Sequence, residues 1–191
     1  MENSFMKSTL LSVIFLLFLT LQSVSAQPQV LEGDQISPLS LVDKDGTIQN
    51  FDSIKGENGA VLVFIRSAEW CPYCQRQLVD LNEFYQDIEN TNYELVSISY
   101  DAVDVLKKFS DKHNIQFNML SDDDSSIIKA FGILNTDMKP GSKAYGIPNP
   151  AIYIVSNEGA VQGVLSEEGY KKRPSSEVLL EAIKTINSTG K

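Results

Sequence analysis

The chain has 191 residues, 42% of them hydrophobic and 21% charged, with a formal net charge of −9. That length supports one domain with a substantial core, and the acidic balance argues against nucleic acid and anionic membrane surfaces as partners. Two cysteines and one histidine are too few for a tetrahedral zinc site, and a cysteine–histidine hydrolase or a histidine-ligated metal centre is equally hard to assemble.

The first residues read as a secretory signal. Lys7 stands in a short polar start, Leu10 to Leu21 is apolar, and Val24-Ser25-Ala26 offers a small-residue cleavage site. The apolar run of about 12 residues is shorter than the ~20 needed to cross a bilayer. Residues 1–26 are therefore expected to be a signal peptide, with the mature chain starting at Gln27, no stable membrane insertion, and a secreted or periplasmic location. A polar lead over 27–36 precedes a domain expected over 37–188.

Leu39, Leu41 and Ile48 flank Asp43-Lys44-Asp45-Gly46, which predicts a small hairpin. Asp52 to Gly56 reads as a helical turn, followed by a buried strand from Ala60 to Ile65. From Pro72 onward Leu78, Leu81, Tyr85 and Ile88 recur at helical spacing, with Pro72 in the first turn, where its missing N–H costs nothing. Tyr93 to Ser99 predicts the next strand, and Asp101 is the expected N-cap of a helix over Val103 to Lys112. A short apolar segment, Phe117 to Leu120, leads to Asp122-Asp123-Asp124, read as a loop and helix start, since three successive carboxylates do not match the spaced ligands of a calcium loop. A helix with Ile127, Ile128 and Phe131 ends at Gly132. Ala151–Val155 and Ala160–Leu165 form a second hairpin, and Pro174-Ser175-Ser176-Glu177 opens a last amphipathic helix. The expected fold class is α/β, a central mixed sheet with helices on both faces.

Both cysteines lie in Trp70-Cys71-Pro72-Tyr73-Cys74, between the buried strand and the helix that Pro72 opens. A thiol at a helix N-terminus faces unpaired N–H groups and the positive end of the dipole, which favour the thiolate. Cys71 is thus the candidate nucleophile, and Cys74, one turn on, the candidate resolving thiol. A purely structural disulfide closing so short a loop would be a poor staple. The chemistry expected is a cofactor-free dithiol–disulfide cycle with no metal. His113, among Asp111, Lys112 and Asn114, reads as a surface residue.

The order of elements and Ala68-Glu69-Trp70-Cys71-Pro72-Tyr73-Cys74 resemble the thioredoxin superfamily over nearly the whole mature chain. Phe117 to Asp122, Ala130-Phe131-Gly132 and Ile147 to Tyr153 resemble its alkyl hydroperoxide reductase and thiol-specific antioxidant (AhpC/TSA, redoxin) branch. The resemblance implies a thioredoxin-like three-layer fold and a cis-proline beside the nucleophile. Pro150, which directly precedes a strand, is the position that resembles it, with Pro148 the competitor; a cis bond there would turn the Asn149 backbone toward substrate. Two departures stand out. The hydroxyl that peroxidases of this branch carry three residues before the nucleophile is replaced by Ala68, and the buried aspartate of thioredoxins by Ile65.

Around the motif, Glu69 is the nearest carboxylate for proton transfer or else a solvated charge, and Arg66 either lowers the thiolate pKa or is an exposed strand-end residue. Trp70 is implied by the resemblance to shield the disulfide, and Tyr73 faces substrate or solvent. The leading expectation is an exported thiol-disulfide oxidoreductase acting on protein or small-molecule disulfides and recharged by a dithiol reductase partner. The alternative is a peroxiredoxin-like peroxidase with Cys71 peroxidatic and Cys74 resolving, which Ala68 counts against. The remaining alternative is a non-enzymatic protein that keeps the fold.

Overall fold

The computed structural model describes residues 29–169 and 171–190. The leader expected over residues 1–26 lies outside the described residues, and among these no helix is long and apolar enough to cross a membrane.

Seven strands form one sheet: β1 (Ser40–Asp43), β2 (Ile48–Asn50), β3 (Gly59–Phe64), β4 (Tyr93–Ser99), β5 (Asn118–Ser121), β6 (Ala151–Ser156) and β7 (Val161–Leu165). Among the described residues five α-helices accompany them: α1 (Pro72–Glu83), α2 (Tyr85–Glu89), α3 (Val103–His113), α4 (Ser126–Ala130) and α5 (Ser176–Thr189). The strand order is β2-β1-β5-β4-β3-β6-β7. β3, β4 and β5 run parallel, whereas β6 pairs antiparallel with β3 and β7, and β1 antiparallel with β2 and β5. The sheet is mixed, as the sequence predicts.

Strand periodicity sorts β3 onto two cores. Val61 and Val63, with Ile65 just beyond the strand, face a cluster with Leu78 and Leu81 of α1, Leu106 of α3 and Ile183 of α5. Ala60, Leu62 and Phe64 face a second cluster with Leu41, Ile128, Phe131 and Tyr153. Every residue of β3 is buried, which accounts for its unbroken apolar run. The antiparallel register sets Phe64 opposite Ala151, so the loop after β3 and the Asn149-Pro150 segment before β6 emerge at the same end of the sheet.

Three local expectations change. The single helix read from Pro72 to Ile88 is two, divided at Phe84, whose backbone (φ −95°, ψ 4°) ends α1; Tyr85 and Ile88 stay in the same core. The polar lead expected over 27–36 is, in its described residues 29–36, packed against the domain. Gln35 bridges Ala160, Ile36 N donates to Gly159 O (3.0 Å), and Val30 and Ile36 pack on the second core. Asp101 does not cap α3; Ala102 occupies the N-cap without a side-chain bond. Asp101 turns inward instead, to the loop that leads to the cysteines.

Candidate active site

β3 delivers its chain into the loop 65–70, which ends at the first turn of α1. Cys71 is the N-cap residue of that helix (φ −96°, ψ 100°) with Pro72 at its first position. Cys71 Sγ accepts the Cys74 N–H at 3.3 Å, the geometry in which a helix N-terminus stabilises sulfur charge. The two cysteines are joined as a disulfide, their Cα atoms 5.3 Å apart, and α1 is intact with the bond closed. Both are buried, Cys74 completely.

The loop ahead of Cys71 is clamped from beneath. The buried carboxylate of Asp101 accepts from Ser67 Oγ (2.7 Å), Ala68 N (2.7 Å) and Ser99 Oγ (2.9 Å). Burial raises its pKa above the ordinary value, against the opposing pull of these bonds. Ser67 Oγ in turn accepts from Glu69 N (3.0 Å), and Gln75 Nε2 donates to the carbonyls of Ala68 and Glu69, both at 2.8 Å. The backbone between strand and Cys71 is thereby held by the side chains of Asp101, Ser67 and Gln75.

Half-buried Trp70 stands over the motif. Its Nε1 donates to Tyr100 OH (2.9 Å), and Tyr100 OH donates to Lys143 O (2.9 Å). The Arg66 guanidinium lies 5.1 Å from the Trp70 ring. Glu69 is exposed and its carboxylate pairs with Lys143 at 3.2 Å, so it turns outward along the surface. Tyr73 is half-buried, and the Arg76 guanidinium lies 4.8 Å from its ring.

On the inner side of the pair Arg173 Nη2 donates to Cys74 Sγ at 3.6 Å. Burial, reinforced by the like charge of Arg66, lowers the Arg173 pKa to about 10. A hollow of about 290 Å³ opens there, lined by Tyr73, Arg76, Asp80, Lys171 and Arg173 among others.

The cis-proline expectation is not met. There are no cis peptide bonds among the described residues, and a trans X–Pro bond is the ground state by about 0.5–1 kcal/mol where nothing compels otherwise. Pro148 is buried and its segment pairs with Leu134, while Asn149 N donates to Ile133 O. Asn149 and Pro150 line a separate hollow of about 330 Å³ with Gly132, Asp137 and Glu167. They share the sheet end with the motif without joining its hydrogen-bond network as described above. His113 is half-buried, its ring 4.4 Å from that of Phe109, beside a hollow that Ala68 and Glu69 also line.

Asp101 and Arg173 were not singled out from the sequence as site residues. Asp101 carried a signal, an acid at a strand end, but the signal equally suits a helix cap. Arg173 lies in Lys171-Lys172-Arg173-Pro174, where nothing local says which cation turns inward.

The AhpC/TSA family model matches residues 33–164. Peroxiredoxin Q of Sedum lineare is 25% identical over 79% of this chain and 77% of its own length. Peroxiredoxin Bcp of Escherichia coli K12 is 25% identical over 80% of this chain and 94% of its own. Among solved structures, peroxidoxin BcpB of Mycobacterium tuberculosis superposes with a TM-score of 0.70 at 20% identity, over 84% of this chain and 98% of that one, which speaks for the fold. These relatives overturn the order of the functional expectations: disulfide exchange in an exported oxidoreductase gives way to the peroxidase alternative. A Cys-x-x-Cys pair serves both chemistries. The order rested on one absent hydroxyl at position 68, whose backbone N–H the structure shows committed to Asp101.

Proposed function

This chain belongs to the AhpC/TSA family, and on that premise we propose that it is a thiol peroxidase in which Cys71 reduces peroxides and Cys74 closes the catalytic disulfide. The observation that carries this reading is a buried N-cap cysteine already bonded to its helical neighbour, in a chain whose relatives are peroxiredoxins. The Cys71 thiolate attacks one oxygen of ROOH; the O–O bond breaks, RO⁻ takes a proton and leaves as ROH, and Cys71 becomes a sulfenic acid. Cys74 then attacks Cys71 Sγ, expelling water and forming the disulfide. Two thiols of a thioredoxin-like dithiol partner return it to the reduced state. Because α1 is intact around the closed disulfide, this resolution needs no melting of the helix.

Stopped-flow oxidation of the reduced protein tests the reading. Cys71→Ser is expected to abolish peroxide consumption, whereas Cys74→Ser still forms the Cys71 sulfenic acid but no intramolecular disulfide. Oxidation no faster than that of a free thiol of equal pKa refutes it. We further propose export with cleavage after Ala26, supported by the leader pattern. N-terminal sequencing of protein from its native host should then begin at Gln27, and a chain starting at Met1 refutes cleavage.

A further inference from the structure

Opening the Cys71–Cys74 disulfide leaves one sulfur bearing the electron pair of the broken bond, and the two sulfurs sit in different surroundings. Cys71 Sγ receives the Cys74 N–H from the helix. Cys74 is wholly buried among Val61, Leu78 and other apolar side chains, a setting that by itself disfavours a thiolate. Ile65, also buried in that cluster, offers no base.

We propose that Arg173 is a catalytic residue that stabilises Cys74 as the leaving thiolate, so that the incoming reductant's sulfur goes to Cys71. The guanidinium is placed for this, with Nη2 3.6 Å from Cys74 Sγ and Nη1 tied to Lys172 O at 2.7 Å. The segment behind it is fixed where Ser175 caps α5 and Ser176 Oγ donates to Asp80 at 2.6 Å. The other charged groups near the motif are Arg66 and Glu69 from the loop before Cys71, with Lys143 paired to Glu69, Arg76 and Asp80 from α1, and Lys171 and Lys172 beside Arg173. While the disulfide is neutral, burial and then the like charge of Arg66 disfavour the half-buried Arg173 cation; a thiolate at Cys74 offsets both.

In the step itself a thiolate RS⁻ attacks Cys71 Sγ, forming the R–Cys71 disulfide bond. The Cys71–Cys74 bond breaks and its electron pair stays on Cys74 Sγ beside Arg173. A second RS⁻ attacks the R sulfur, RSSR departs, and Cys71 leaves as a thiolate beneath the Cys74 N–H. Two electrons pass from two thiols to the protein. In the oxidising direction the same cation keeps Cys74 ionised for attack on the Cys71 sulfenic acid; only this last role rests on the peroxidase reading.

The test needs no peroxide, so its failure and the failure of the peroxidase reading are separable. In a Cys71→Ser background the Cys74 thiolate is titrated by its ultraviolet absorbance. Arg173→Met is expected to raise the Cys74 pKa by at least one unit, a tenfold loss of thiolate below that pKa, and Arg173→Lys to recover most of it. With both cysteines present and at a pH above the Cys74 pKa of both proteins, Arg173→Met should shift the equilibrium against glutathione about tenfold toward the disulfide, which is about 30 mV. An unchanged Cys74 pKa, or equal behaviour of Met and Lys, overturns the assignment. Should Arg173→Met fail to fold, the wild-type disulfide is treated with limiting dithiothreitol under rapid alkylation. The trapped mixed disulfide should lie on Cys71 with Cys74 alkylated; the reverse placement overturns the proposal.

Discussion

Replacing Asp101 with alanine should loosen the nucleophile's loop and weaken the whole domain. Three donors converge on this carboxylate: Ser67 Oγ, Ala68 N and Ser99 Oγ. A hydrogen bond to a charged group contributes about 1.5–3 kcal/mol, and a buried donor left unpaired costs about 1–3 kcal/mol. The hydroxyls of Ser67 and Ser99 can rotate toward another acceptor while their oxygens still accept from Glu69 N and Asp101 N. Ala68 N cannot, because its residue is buried and its direction fixed by the backbone. Counting that stranded N–H in full and the hydroxyl bonds in part gives a loss of about 3–5 kcal/mol. In a domain of this size that is about 10 °C in melting temperature. Asp101→Asn keeps one oxygen for Ala68 N and removes a buried charge, so its loss should be about 1–2 kcal/mol. Urea denaturation of the three proteins measures stability, and the rate of Cys71 alkylation after reduction measures the loop, with a change of about tenfold or more expected for alanine. If Asp101→Ala loses less than about 1 kcal/mol and leaves Cys71 reactivity unchanged, the clamp is not what positions the nucleophile.

Gly59 (φ +136°) opens β3 where a Cβ would collide with the backbone of Val155 and Ser156. Gly59→Ala is expected to cost about 2–4 kcal/mol in chemical denaturation, and a loss under 0.5 kcal/mol refutes that packing argument. Burial raises the carboxyl pKa values of Asp101 and Asp122 above the ordinary 3.8, so the stability each contributes is full below that value and declines as pH rises through the raised pKa. Relative to wild type, Asp101→Asn should therefore compare worse in acid than at neutrality, and the opposite trend in pH-dependent denaturation contradicts it. Trp70, the single tryptophan, directly precedes Cys71, so intrinsic fluorescence should change on reduction of the disulfide. Tyr100→Phe removes the acceptor of its indole N–H and should alter that signal while costing about 1 kcal/mol. A fluorescence spectrum indifferent to redox state would place Trp70 away from the motif.

Hydrophobic period and punctuation sufficed for the scaffold. An unbroken apolar run marked β3 as central, Asp43 to Gly46 marked the first hairpin, and the Cys-x-x-Cys pair enclosing Pro72 marked a candidate nucleophile at a helix start. These signals are local, carried by residues within one or two turns of each other, and they need no partner from elsewhere in the chain. Asp101 and Arg173 could not be read that way. Asp101 meets Ser67 and Ala68 because β4 lies beside β3 in parallel register, which brings the ends of both strands together. Arg173 reaches Cys74 across 99 positions because α5 packs on the same sheet face as α1. Sequence by itself determined which two sulfurs stand at the helix start and on what fold. The tertiary structure decided which charges surround them, because packing brings together charged side chains far apart in the chain.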